Sequence, residues 1–227
     1  MQNKKENNKN TSLFVNILIN IFIPYLILTK GNNYIQPLYV LLIALLFPLS
    51  FLLFYMIKRN KLSFFSLIGI FSLLSTGIIG ILELDLKYLI LKEAGIPLLI
   101  AFIIILSNKT KYPLFEKFLQ EIFYFNKIYS SFKNKKDKNI FIKKIKILSY
   151  FLALSFLISS ILNYILVKMI VKSQPGTSFF NEEIAKVTAL SFPVIAIPSI
   201  IILSVLLTII ILDVKKYTNL ELKNIIK

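Results

Sequence analysis

Six apolar stretches, each long enough to cross a bilayer, alternate along this chain with lysine-bearing segments. A helix needs roughly 20 apolar residues to cross about 30 Å of hydrocarbon. In lipid the backbone must satisfy its own hydrogen bonds, which favours helices for stretches of this length. The stretches run from Ser12 to Leu28, Leu38 to Ile57, Leu62 to Leu82, Leu86 to Leu106, Ile147 to Val167 and Glu182 to Leu212. They predict an all-α fold: a polytopic membrane helical bundle of six transmembrane helices, forming a single transmembrane domain over residues 1–227. The fourth is the most polar, with Lys87, Lys92 and Glu93 in its first half.

Charge orients the bundle. One side carries Lys4, Lys5 and Lys9, then Lys58, Arg59 and Lys61, then eleven lysines between the fourth and fifth spans and four in the C-terminal tail. The other side carries Lys30, Lys87, Lys168, Lys172 and Lys186. That bias of 21 to 5 places both termini in the cytoplasm. Losing the fourth span would split the basic loops across both faces, so the charge pattern supports that span. The first stretch follows a basic tail, as a signal peptide would. No A-x-A-like site follows Leu28, where the chain reads Thr29-Lys30-Gly31, so an uncleaved span is expected.

Composition narrows the chemistry. Hydrophobic residues make up 56% of the chain and mean hydropathy is +0.74. Lys and Arg number 27 against 11 Asp and Glu, a formal charge of +16. With neither Cys nor His there is no disulfide, no Cys or His nucleophile or base, and no zinc site of the usual kind. No metal and no cofactor is expected. Lys outnumbers Arg 26 to 1, which fits an AT-rich coding bias. It argues mildly against bidentate recognition of nucleic acid. The glycines Gly69, Gly77 and Gly80 lie within a span at the wrong spacing for a phosphate loop. The expectation is a protein that is not an enzyme.

Residues 107–146 carry no span. Pro113 can open a helix, and Phe115, Phe118, Leu119, Ile122, Phe125, Tyr129 and Phe132 recur at roughly helical spacing. This reads as an amphipathic cytoplasmic connection lying on the leaflet. Its basic run, from Lys133 to Lys146, would attract anionic lipid. Ordinary positive-inside topology also explains that run. On the other side, Gln174-Pro175-Gly176-Thr177 has the signature of a type II turn. Asn181 can cap the sixth span, with Glu182 and Glu183 in its first turn.

Polar groups mark the interior. Asn16, Asn20 and Pro24 share a face of the first span, as do Ser155, Ser159 and Asn163 on the fifth. Ser72, Thr76 and Gly80 form a small-residue run on the third. Pro24, Pro48, Pro97, Pro193 and Pro198 each remove a donor, so a bend is expected in the sixth span at Pro193 and Pro198. The most informative constellation is Glu83, Asp85, Lys92 and Glu93. An intramembrane ionisable residue marks a functional site by default. The structural alternative is Lys92 snorkelling to Glu83 or Asp85. Glu93, about 100° further round the helix, does not readily share the partner of Lys92.

These residues carry a resemblance. Leu82-Glu83-Leu84-Asp85, the run from Lys92 to Leu99, Ser155-Phe156-Leu157, Leu162-Asn163-Tyr164 and the segment from Pro175 to Ile195 resemble an uncharacterised family of bacterial six-helix inner-membrane proteins, some labelled as transporters. More distantly, the chain is similar to intracellular septation protein A, the YciB family. That similarity rests on Lys58, Arg59 and Lys61; Gly77 and Gly80; Asp85 and Lys92; and Leu162 and Asn163. The Pro-Gly-Thr loop and the proline-rich sixth span depart from that pattern. The resemblance implies a multi-pass protein of the bacterial inner membrane that supports cell-envelope maintenance or septation through membrane protein partners or as a homo-oligomer. The competing expectation is a small transporter or channel using Lys92, Glu93 and Asn163.

Overall fold

The computed structural model describes residues 18–59, 64–110, 113–218 and 220–227. All regular structure among them is helical, and Phe123 and Ile226 form one isolated antiparallel bridge. The helices are α1 (Ile23–Lys30), α2 (Pro37–Arg59), α3 (Phe64–Ile81), α4 (Leu86–Ser107), α5 (Leu114–Ile122), α6 (Phe125–Ser130), α7 (Lys135–Ile170), α8 (Ser178–Ser191), α9 (Ile197–Thr218) and α10 (Leu222–Ile225). Among the described residues four helical stretches are long and apolar enough to cross a membrane: Pro37–Lys58, Leu86–Ser107, Lys135–Ile170 and Ser178–Thr218. The apolar helix Leu67–Ile81 is shorter. Residues 12–17 of the first predicted span, Asn16 included, lie outside the described residues. Large apolar side chains such as Phe54, Phe71, Leu91 and Leu212 are exposed on these helices. In water such faces would be an aggregation liability; in lipid they are the ordinary solvent contact.

Prolines set the irregularities. A π turn, Leu18–Phe22, contains Asn20 and runs directly into α1, where Pro24 is the second residue; Phe22 keeps helical φ and ψ between them. A second π turn, Phe192–Ala196, contains Pro193 and joins α8 to α9, and Pro198 opens α9. The π turns absorb the register that proline disrupts. Pro48 and Pro97 stay inside α2 and α4.

The chain groups into two compact units. The first comprises Met1–Ile96 and Leu162–Ile195. Its core gathers Leu28, Val40, Leu41, Ile79, Leu89, Val167, Phe180 and Ala185. Gly80 lets α3 approach α2, since a Cβ there would collide with the Leu41 side chain.

The second unit comprises Pro97–Ile161 and Ala196–Lys227. Here the connection differs from the expected single helix on the leaflet. It breaks at Phe123 and Tyr124 into α5 and α6, because Tyr124 N–H donates to Ile225 O at 3.0 Å and Lys227 N–H to Ile122 O at 2.9 Å. Phe115, Leu119, Phe123 and Ile128 are buried with Phe141 and Ile225, so the apolar face is covered by protein. Ser107 Oγ accepts from Leu114 N–H at 2.9 Å and ties the end of α4 to α5. The long helix α7 also starts earlier than expected, at Lys135 rather than Ile147. Lys135 to Lys146 is therefore its first three turns and not loop.

Candidate functional site

The turn between α3 and α4 places the acidic residues. Leu84 N–H donates to Ile79 O at 3.0 Å and Glu83 N–H to Gly80 O at 3.3 Å. This pair of bonds is a Schellman closure, and Glu83 occupies its left-handed position at φ 47°. Glycine is the usual residue there, and a side chain is disfavoured by about 1 kcal/mol. The Glu83 carboxylate lies against Gly176, itself at φ 87° in the Pro-Gly turn; a Cβ on Gly176 would sit 2.6 Å from Glu83 Oε1. Asp85 precedes α4 and accepts Lys87 N–H at 2.8 Å. That backbone bond, helped by the Lys87 ammonium, holds its carboxyl below the usual carboxylate range.

Lys92 is not paired with either of these. Its ammonium donates to Glu93 Oε1 at 2.6 Å and to Thr76 Oγ1 at 2.7 Å. The side chain of Lys92 is 8% exposed and that of Glu93 29%. The expectation that Lys92 reaches Glu83 or Asp85 is thus corrected: its carboxylate partner is Glu93 itself. The two Cβ atoms do diverge by about 100°, but the four-carbon lysine stem swings its Nζ across that gap. Thr76 passes its own hydroxyl proton to Ser72 O at 3.2 Å. The small-residue run on α3 therefore divides its work: Gly80 permits contact with α2, and Thr76 receives Lys92.

Of the five candidate residues, the fold brings Lys92 and Glu93 together and leaves Glu83 and Asp85 with separate neighbours in the turn. Asn163 lies half-buried on α7 and is engaged with a neighbour, as is Asn20 in its π turn. Chemically, the Thr76–Lys92–Glu93 group is a neutralised charge pair that uses two of the three ammonium donors.

A second polar group was not anticipated. Asn181 does not cap a helix, because α8 begins earlier, at Ser178, with Thr177 Oγ1 accepting Phe180 N–H at 3.2 Å. Asn181 is instead 1% exposed. It donates to Asn32 Oδ1 at 2.9 Å and to Pro37 O at 2.7 Å. Asn32 in turn donates to Leu28 O at 2.8 Å. Glu183, also expected at the helix start, receives Lys172 N–H, Ser173 N–H and the Ser173 hydroxyl. The sequence signal was there: Thr177 lies before a run that starts helical periodicity at once, which moves Asn181 one turn inside.

In the second unit Lys144 pairs with Asp213 at 2.7 Å. Asn108 donates to Ser149 Oγ at 2.5 Å. The Tyr129 hydroxyl donates to Glu116 Oε1 at 2.9 Å. Burial pushes the Tyr129 hydroxyl above the ordinary tyrosine range, and the Glu116 carboxylate adds to the shift.

No family model, no curated protein and no solved structure matches this chain.

Proposed function

We propose that this chain is a non-enzymatic integral protein of the bacterial inner membrane that supports envelope maintenance or septation through membrane protein partners. The observation that supports this reading is the closed Thr76–Lys92–Glu93 group. Its charges are neutralised by one another and by α3, as expected of a group that fixes helices rather than one that binds and releases a solute. One feature favours transport instead: the side chain of Glu93 is 29% exposed. In that second reading Glu93 exchanges Lys92 for a solute or ion.

The two readings separate on Glu93→Gln, a nearly isosteric neutral swap. A scaffold needs shape and contact surfaces; a transporter needs the charge. A deletion strain is expected to show division or envelope defects, and Glu93→Gln to complement them when it accumulates normally. Asn163→Leu is expected to harm more, by loosening the polar stripe of α7. A folded but inactive Glu93→Gln, together with Glu93-dependent solute uptake in liposomes, would replace the scaffold reading with transport.

Six spans with both termini cytoplasmic belong to the same proposal, supported by the lysine asymmetry. The chain has no cysteine of its own, so single introduced cysteines report cleanly. An impermeant thiol reagent applied outside is expected to label a cysteine at Ser178 and to leave those at Asn134 and Asn224 untouched. External labelling at Asn134 would overturn the topology.

A further inference from the structure

Within the second unit, α7 and α9 are pinned to each other at two places. Ser159 and Ser199 share a hydrogen bond at 3.2 Å, and Lys144 meets Asp213 at 2.7 Å. About 22 Å of helix separates the two pins. Between them lies a groove of about 380 Å³ walled by Leu148, Phe151, Leu154, Val205 and Ile209. Its lining is almost wholly apolar, with Ser155 as the one polar side chain named among its walls. The length is enough to run through one leaflet of a hydrocarbon core about 30 Å thick.

The ends of this slot are unlike. The Ser159 end stays within apolar sequence. At the other end the next turns of the same helices carry Lys143 on α7 and Lys216 on α9, both exposed and, at about 100° per residue, both within about 90° of the groove-lining face. Asp213 is engaged with Lys144 and leaves these two cations in excess. Positive charge thus stands about 8–11 Å along the helices beyond an acyl-sized slot, toward the end where the phosphate of a lipid seated in the slot would lie.

We propose that the groove holds an acyl chain of an anionic phospholipid, with its phosphate against Lys143 and Lys216. This rests on reading the chain as a membrane protein, and it moves anionic-lipid recognition from the connection as a whole to one site. A zwitterionic lipid offers the same chain but no net charge, so the headgroup decides occupancy.

The chain contains no tryptophan, so an introduced one reports alone. Phe151→Trp places it in the groove wall, and Phe71→Trp places it on an exposed face of α3 as the control. Each is reconstituted in vesicles in which either phosphatidylglycerol or phosphatidylcholine carries brominated chains, at equal mole fraction. Quenching at Phe151→Trp is expected to favour phosphatidylglycerol by about fivefold or more. Quenching at Phe71→Trp is expected to show no preference. Adding Lys143→Gln and Lys216→Gln together should bring Phe151→Trp down to the control ratio. Equal ratios at the two positions, or a preference that survives loss of the two lysines, would overturn the site. Absence of quenching by either lipid at both positions would overturn the membrane reading itself.

Discussion

Lys92→Glu is expected to abolish accumulation in the membrane, Lys92→Met to reduce it, and the double change Lys92→Met with Glu93→Gln to recover most of it. The order follows from the geometry. Lys92 is almost fully enclosed and sits 2.6 Å from Glu93. Removing one partner of a buried pair costs about 3–5 kcal/mol, because the other charge stays behind unpaired. Here Glu93 is 29% exposed rather than fully enclosed, so Lys92→Met falls at or below the low end. Reversal places two carboxylates side by side in low dielectric and exceeds it. A domain with about 5–15 kcal/mol of stability does not absorb such a change. Removing both charges leaves only Thr76, whose hydroxyl keeps its bond to Ser72 O. Membrane-fraction levels and melting in detergent decide the matter. Equal behaviour of Met and Glu would mean a hydrated Lys92 in a water-filled cavity, and would shift the functional reading toward transport.

The same pair shows where sequence reading stops. The helical character of the apolar stretches was legible because composition and length alone dictate it. So was the presence of polar stripes, which only other helices can receive, as Ser159 and Ser199 do. The partner of Lys92 was not legible. Helical geometry gives the directions of Cβ atoms, not the reach of a flexible stem, and the obvious acids at Glu83 and Asp85 lay closer to the expected snorkelling path. What removed them was local backbone chemistry. Asp85 is held by Lys87 N–H, and Glu83 is turned aside by its left-handed φ.

The connection failed to read correctly for a different reason. Its amphipathic period was real, with Phe115, Leu119 and Phe125 all buried. The surface that buries such a face, whether lipid or protein, is not written in the period itself. Here it is protein, and the break at Phe123 is imposed by residues 225–227, about a hundred positions away in sequence. A contact of that separation leaves no local trace.

Asn181→Leu is expected to lower stability by roughly 2–3 kcal/mol, although the side chain keeps its volume. Asn181 supplies both donors of a clasp joining the start of α8 to Asn32 and to the first carbonyl of α2. Leucine removes both, leaving Asn32 Oδ1 without this donor and Pro37 O with its intrahelical partner alone. Interhelical hydrogen bonds within membranes average only about 0.6 kcal/mol, so the prediction depends on burial and on two acceptors losing one residue. Asn181→Asp should be worse than Leu, since it sets a carboxylate among acceptors. Asn32→Leu combined with Asn181→Leu should cost less than the two single changes added together, because both remove the same bond. Glu182→Gln, beside Asn181 but only half-buried, serves as the control and should stay within about 0.5 kcal/mol of wild type. Thermal melting of the five variants in one detergent, the Asn32→Leu single change included, provides the comparison. If Asn181→Leu melts with Glu182→Gln, the clasp does not hold α8 to α1 and α2, and their association rests on the apolar contacts of Leu28, Val40, Phe180 and Ala185 alone.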